Sequence, residues 1–130
     1  YGSNNNLVSG YDGGHFMFLA TSNKIYSGHS DWGNYLAYPS TANFDLNTWY
    51  YVVLTFNTTE GMKLYVNGVL DSTYTDNLNQ HPGNGTTEIA SFAQSNLLNG
   101  SISKVMTYGR PLTADEVLQN FNADKNKFGL

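Results

Sequence analysis

The sequence predicts an all-β protein, an antiparallel jelly-roll β-sandwich with one short C-terminal helix. Short alternating runs of β-prone residues recur along the chain, separated by clusters of Gly, Asn, Asp and Ser. Asn67-Gly68 lies between two such runs and predicts a tight hairpin, because a type I′ turn needs positive φ at both central positions. One helix start signal, Thr113 with Glu116 three residues later, lies near the C-terminus. At this length, residues 1–130 are predicted to form a single domain.

The predicted strands cover residues 7–11, 15–20, 24–27, 35–38, 47–57, 62–66, 69–75 and 86–92. Polar, Gly-containing segments at 28–34 and 76–85 are predicted to be loops. Both faces of 47–57 are mostly apolar, which predicts a central strand covered on both sides. Ile102, Val105 and Tyr108 are spaced by three, and a β-bulge near Ser103 and Lys104 would turn all three towards the core.

The C-terminal helix has a complete set of start signals. Thr113 is the predicted N-cap and Glu116 completes a capping box, while Leu112 and Val117 stand where a hydrophobic staple requires them. Its apolar stripe, predicted to pack on the edge of the sandwich, consists of Val117, Leu118 and Phe121.

Composition limits the classes of partner. Six basic residues against ten acidic ones leave a net charge of −4, which gives no electrostatic reason to bind nucleic acid or an anionic membrane. The chain has no Cys, which excludes disulfides and thiolate metal sites. Charged residues make up only 12%, so Asn, Ser, Thr and Gly must supply the polar surface, as suits an extracellular or virion protein.

Two segments resemble the C-terminal half of laminin-G-like modules of the concanavalin A-like lectin/glucanase superfamily. They are WYYVVLTFNTTEGMKLYVNG, starting at Trp49, and GSISKVMTYGRPLTADEVLQNFN, starting at Gly100. The ending QNFNADKNKFGL also resembles the C-termini of phage virion proteins. The resemblance implies a module that binds rather than transforms its ligand. It also implies further strands ahead of Leu7, so the chain is expected to be the C-terminal part of a longer polypeptide.

The superfamily includes glucanases, so catalysis has to be weighed. Glycoside hydrolysis needs two carboxylates about 5–10 Å apart. No predicted strand carries an alternating acidic pair, and the adjacent Asp115 and Glu116 are explained by the helix N-terminus. The sequence therefore predicts that the protein is not an enzyme.

No cofactor is predicted, although Ca²⁺ is weighed because the resemblance implies a rim site for it. Asp12 and Asp31 are the plausible donors, since Ca²⁺ prefers clustered oxygens. Both also fit turn-forming Asp residues, which is the favoured interpretation. His15, His29 and His81 are far apart in sequence and form no ligand motif.

The best candidate for a ligand site is the stretch that contains His29, Asp31, Trp32, Asn34 and Tyr35. The two aromatic residues can stack on the C–H face of a sugar ring, and the three polar residues can hydrogen-bond its hydroxyls. Two interpretations stay open: Trp32 and Tyr35 are sugar platforms, or Trp32 is a plug at the end of the sandwich and Tyr35 is a core residue.

These observations lead to two functional hypotheses. The first is a non-catalytic recognition module for glycans or cell-surface polysaccharide, carried on an extracellular or virion protein. The second is a structural virion domain that contacts other subunits without a sugar ligand. Neither hypothesis involves nucleic acid or a membrane.

Overall fold

The computed structural model describes residues 5–10, 14–31, 34–75, 86–91 and 97–130. The strands are β1 (Asn5–Gly10), β2 (His15–Leu19), β3 (Ile25–Asp31), β4 (Asn34–Pro39), β5 (Val52–Asn57), β6 (Gly61–Val66), β7 (Val69–Tyr74) and β8 (Thr87–Ile89). One helix, α1 (Ala114–Asp124), continues into a 3-10 turn (Lys125–Lys127). The described chain is therefore mostly β, with a single short C-terminal helix.

The chain divides into two compact units. The first takes in Tyr1–Ser40 and Asn79–Met106, and the second takes in Thr41–Leu78 and Thr107–Leu130. Each unit carries one antiparallel sheet, of order β4-β3-β2-β1-β8 in the first and β5-β6-β7 in the second. The prediction of a single domain over 1–130 stays a prediction.

In the five-stranded sheet, β3 forms hairpins with β2 and with β4. Phe16 and Ile25 are buried apolar residues, and Ser27 and His29 are buried polar ones. Gly28 is required by close packing, because a Cβ there would collide with the Leu36 carbonyl and lie 2.9 Å from the Phe16 ring.

In the three-stranded sheet, β6 is central and carries the most buried residues, Met62, Leu64 and Tyr65. The β6–β7 register shifts between Leu64, which pairs with Ser72, and Tyr65, which pairs with Leu70. Asp71 is the extra residue of this bulge. Its carboxylate accepts the backbone N–H groups of residues 41 and 42, each at 2.7 Å. The bulge thus directs one acidic side chain to fasten a neighbouring loop.

The predicted hairpin and helix start are confirmed. Asn67 and Gly68 have φ values of 50° and 80°, as the predicted turn requires. Thr113 caps α1 with both bonds of the capping box present. Leu112 and Val117 are buried with Tyr65 in one apolar cluster, as a hydrophobic staple would place them.

The helix packs against the hairpin turn. A Cβ at Gly68 would lie 2.8 Å from the Phe121 ring and 3.2 Å from Leu118 Cδ1. Tyr51 contacts Phe121 from the other side, with ring centroids 5.8 Å apart. The stripe of Val117, Leu118 and Phe121 therefore faces the second unit's own strands, although Leu118 stays 44% exposed.

The prediction of one long central strand over 47–57 was wrong. The strand starts at Val52 and β5 forms an edge of the described sheet, where β6 is central. Asn47 has a φ of 58°, a left-handed turn conformation that no strand contains. Apolar residues on both faces could not identify the central strand, because centrality depends on which strands pair.

The prediction that a bulged strand turns Ile102, Val105 and Tyr108 towards the core was also wrong. The structure assigns no strand there, and Ile102, Val105 and Tyr108 are 36%, 40% and 48% exposed. A strand needs a hydrogen-bonded neighbour, and none of the described strands pairs with this segment. An apolar spacing of three therefore did not establish burial.

Candidate functional site

Four of the five predicted site residues lie at one end of the β3–β4 hairpin. His29 and Asp31 belong to β3, while Asn34 and Tyr35 belong to β4. In the backbone register Asp31 pairs with Asn34, and residue 30 with Tyr35. Trp32, the fifth predicted residue, lies outside the described residues. We call these four residues the hairpin end.

The predicted polar loop at 28–34 is corrected by this register. Residues 28–31 continue β3, and Asn34 already begins β4. Gly, Ser, His and Asp favour loops in sequence, yet Gly28 is needed in this strand for close packing against Phe16. The loop predicted at 76–85 lies outside the described residues.

His29 is buried beside a second histidine. It pairs directly with His15 across β2 and β3, and the two ring centroids are 6.2 Å apart. His29 is only 6% exposed. Burial, and then the nearby His29, lowers the pKa of His15 below its ordinary value. Both effects favour the neutral form of the His15 imidazole.

The sequence contained a signal for this pair. His15 and His29 are equidistant from Ser22, in the turn that joins β2 and β3. A hairpin centred there would pair them, but the centre is known only once the register is known. Spacing alone therefore indicated two unrelated histidines.

The prediction for Ca²⁺ remains untested. Asp12 and His81 lie outside the described residues, and for Asp31 only the backbone is described. Among the side chains that the structure describes, no group of three or more His, Asp or Glu residues could hold a metal ion.

A second candidate site, which sequence analysis missed, lies beside the start of α1. It is a cleft of about 260 Å³ within the second unit. The face of β5–β6 that carries the pairs Val53–Tyr65 and Thr55–Lys63 forms one wall. The residues that line it are Thr55, Asn57, Glu60, Gly61, Lys63, Tyr65, Pro111, Leu112, Thr113 and Ala114. We call it the helix-start cleft.

Alternation along β5 and β6 explains how the cleft arises. Paired residues share a face of the sheet, so Val53 with Tyr65 and Thr55 with Lys63 form successive rows on one face. Tyr65 and Val53 pack in the apolar cluster with Leu112 and Val117. Towards the β5–β6 turn the rows become polar, and there they line an open cleft.

A polar network holds the mouth of the cleft. Asn57 Oδ1 accepts the backbone N–H groups of residues 59 and 60, and its Nδ2 donates to Glu60 Oε2 at 3.1 Å. Lys63 Nζ donates to the same Glu60 oxygen at 3.0 Å. The bond from Lys63, then that from Asn57, lowers the pKa of Glu60, and the bond to Glu60 raises the pKa of Lys63.

The helix cap forms the opposite wall of the cleft. Glu116 accepts from Thr113 N at 2.9 Å and binds Arg110 through two bonds of 2.8 and 2.6 Å. The Arg110 bonds first, then the Thr113 backbone bond, lower the pKa of Glu116 to about 2. This carboxylate is therefore ionised and fully occupied in closing the helix start.

Other described carboxylates also have structural partners. Asp71 fastens the backbone at 41–42, Glu88 accepts from the Ser91 hydroxyl at 2.6 Å, and Asp124 pairs with Lys127 at 2.6 Å. A general acid needs a pKa raised towards neutrality. The shifts of Glu60 and Glu116 go in the opposite direction.

Comparison with solved structures finds a likeness to residues 221–444 of an S-layer domain-containing protein from Clostridium thermocellum. Sequence identity is 15% and the TM-score is 0.41, over 91% of this chain and 63% of that one. The chain thus spans less than two thirds of the structure it matches. A search of curated proteins finds no match. None of the helices in the described part of the chain is long and apolar enough to cross a membrane.

The family comparison is more extensive. The family model described as the concanavalin A-like lectin/glucanases superfamily matches residues 1–118. This match covers most of the chain, including both sheets and the start of α1. It confirms the laminin-G-like resemblance and the predicted fold class of a β-sandwich with one C-terminal helix. The chain belongs to the concanavalin A-like lectin/glucanases superfamily.

Proposed function

We propose that the protein is a non-catalytic recognition module for carbohydrate, carried on an extracellular or virion protein. The observation that carries the proposal is the β3–β4 register, which brings His29, Asp31, Asn34 and Tyr35 to one end of a hairpin. Membership of a superfamily that includes lectins supports it. Low charge and the absence of Cys suit an exterior protein with a neutral ligand.

The chemistry of the hairpin end supports a sugar as the ligand. Sugar rings present C–H faces that stack on aromatic rings, and hydroxyls that need directional donors and acceptors. Tyr35 and the neighbouring Trp32 supply aromatic rings, while Asp31 and Asn34 supply polar groups. His29, being buried beside His15, is proposed to support the hairpin rather than to contact the ligand.

The partners of the carboxylates support binding without catalysis. Glycosidases need one carboxyl group with a raised pKa and a second one nearby. Glu60 and Glu116 instead have lowered pKa values, and Asp71 and Asp124 hold structural contacts. We therefore place the protein with the lectins of its superfamily rather than with the glucanases.

A glycan array tests the proposal, with Trp32→Ala as the variant and Trp49→Ala as the matched control. Trp49 lies in the second unit, 40% exposed and against Phe128. Trp32→Ala should weaken binding by about 1–3 kcal/mol, the scale of one large aromatic contact. Trp49→Ala should leave affinity unchanged.

Thermal melting of the same variants decides between the two interpretations of Trp32. An unchanged melting temperature with lost binding indicates a sugar platform. A large drop indicates a core plug, and the loop at 76–85 then becomes the place to look. Unchanged affinity in a stable Trp32→Ala protein would remove the hairpin end from consideration.

A second function, assembly with other subunits, is favoured by one specific observation. Ile102, Val105 and Met106, which belong to the first unit, are all at least 36% exposed in a segment without regular structure. Neighbouring exposed apolar residues are typical of protein interfaces. Failure of every glycan on the array to bind, together with concentration-dependent self-association that Val105→Asp abolishes, would favour this function over carbohydrate recognition.

A further inference from the structure

The helix-start cleft combines an apolar floor with a polar mouth. Tyr65 and Leu112 line the cleft, are 3% and 7% exposed, and form its floor. We propose that this cleft binds one ring of a neutral sugar, as a subsite distinct from the hairpin end. The inference rests on the proposed function, because it assigns a second position for the same class of ligand.

The volume of the cleft fits one ring. Pockets for drug-sized ligands are roughly 300–1,000 Å³. The helix-start cleft, at about 260 Å³, lies just below that range. A single sugar ring fits such a space, whereas a longer oligosaccharide would have to extend out through the mouth.

The polar groups offer directional hydrogen bonds. Thr55 is 7% exposed and lines the cleft, and its hydroxyl is both a donor and an acceptor. The described bonds of Lys63 use one of its three N–H donors, and those of Glu60 use one of its two oxygens. Donors and an acceptor therefore remain at the mouth for ligand hydroxyls. Bonds from charged groups are the stronger kind.

The charges favour a neutral ligand. Lys63 and Glu60 are the charged residues among those that line the cleft, and they neutralise each other at 3.0 Å. Glu116, which caps the helix start outside the lining, has its charge matched by Arg110. A bound anion would meet the Glu60 carboxylate, whose cation is already engaged, while hydroxyl groups incur no such repulsion.

The mouth is also organised before a ligand arrives. Asn57 fixes the turn through its bonds to residues 59 and 60, and Gly61 follows with a φ of 86°. A Cβ at Gly61 would collide with the Tyr74 carbonyl, so the turn is held against β7. Groups held in place lose little conformational entropy on binding, which favours affinity in a small site.

Backbone amide NMR of the ¹⁵N-labelled protein tests this inference, with glucose, galactose, mannose and N-acetylglucosamine as neutral probes. Glucuronate and inorganic phosphate are the anionic counterparts. A neutral sugar should shift the amides of residues 57–63 and 113–114. Thr55→Val, which keeps the shape and removes the hydroxyl, and Lys63→Met should each weaken that binding about tenfold.

The matched control is Lys127→Met, which removes a Lys–carboxylate pair of the same spacing at the other end of α1. It should leave the affinity unchanged. If Thr55→Val does not fold, Lys63→Met carries the test alone, because that side chain is 26% exposed.

Each result has a distinct meaning. Shifts confined to residues 29–36 would overturn the cleft inference and leave the proposed function standing. Binding of glucuronate or phosphate without any neutral sugar would also overturn it. No amide shift with any sugar, together with an array on which no glycan binds, would overturn both proposals.

Discussion

Gly68→Ala probes the contact between the hairpin turn and α1. Gly68 has a φ of 80°, and its missing Cβ would lie 2.8 Å from Phe121 Cδ1 and 3.2 Å from Leu118 Cδ1. A left-handed backbone costs a residue with a Cβ about 1–2 kcal/mol, and overpacking costs about 1–3 kcal/mol. Alanine also lowers the conformational entropy of the unfolded chain, which offsets about 0.4–1 kcal/mol of this cost. The net loss of unfolding free energy should be about 1–5 kcal/mol.

Two other glycines separate the cost of the left-handed backbone from the cost of the collision with α1. Gly109 has no atom within 4 Å of its Cβ position and no positive φ, so Gly109→Ala should change the free energy by less than about 0.5 kcal/mol. Gly129 also has an open Cβ position but a φ of 69°, so Gly129→Ala reports the backbone cost alone. The excess of Gly68→Ala over Gly129→Ala measures the collision with α1.

Urea unfolding followed by tryptophan fluorescence supplies these numbers, with the denaturant slope as a check that the unfolding reaction is unchanged. Repeating Gly68→Ala in a Phe121→Ala background should recover the collision energy, because the obstructing ring is gone. Equal losses for Gly68→Ala and Gly129→Ala would refute the packing of α1 on the turn.

Three further predictions follow from individual contacts. Thr113→Ala should lower the unfolding free energy by about 1 kcal/mol. The wild-type protein should lose stability as the pH falls from 4.5 to about 2, where Glu116 protonates in the folded state, and an acid titration should show a smaller loss for Thr113→Ala. The pKa of His15 is lower in the folded state than its ordinary value of 6.5, so the contribution of neutral His15 to stability should be complete above pH 6.5 and decline as the pH falls below it. Thermal melting at a series of pH values should show a smaller decline for His15→Gln. Asp71→Asn retains one acceptor oxygen for two backbone donors, so chemical denaturation should show a loss of about 1–3 kcal/mol.

Local signals in the sequence were sufficient for the elements they specify. Asn67-Gly68 determines a hairpin because only residues that tolerate positive φ can occupy both central turn positions. Thr113 and Glu116 determine a helix start because each side chain satisfies a backbone N–H at the other end of the same turn. Neither case depends on distant parts of the chain, so the sequence predicted both correctly.

Features that depend on pairing could not be obtained in this way. β5 is apolar on both faces and yet lies at the edge of the described sheet, because β6 pairs with both β5 and β7. His15 and His29 are brought together by the register of the β2–β3 hairpin, which cannot be read from their spacing alone. Residues 28–31 continue β3, although their composition is typical of a loop. Four residues of the predicted site therefore lie in strands rather than in a loop, Trp32 lies outside the described residues, and the site itself stays a prediction.

The helix-start cleft illustrates why a site can escape sequence analysis even when its parts are visible. Along one face of β5, Val53 and Thr55 are followed by Asn57, a gradual change from apolar to polar. That change produces a cleft only because α1 begins beside it: the cluster of Tyr65, Leu112 and Val117 covers the apolar end of the face and leaves the polar end open. The cap at Thr113 thus does more than stabilise the helix: by determining where α1 begins, it determines how much of the β5–β6 face remains available to a ligand. A variant that moved the helix start by one turn should close or widen the cleft without changing any residue of β5 or β6.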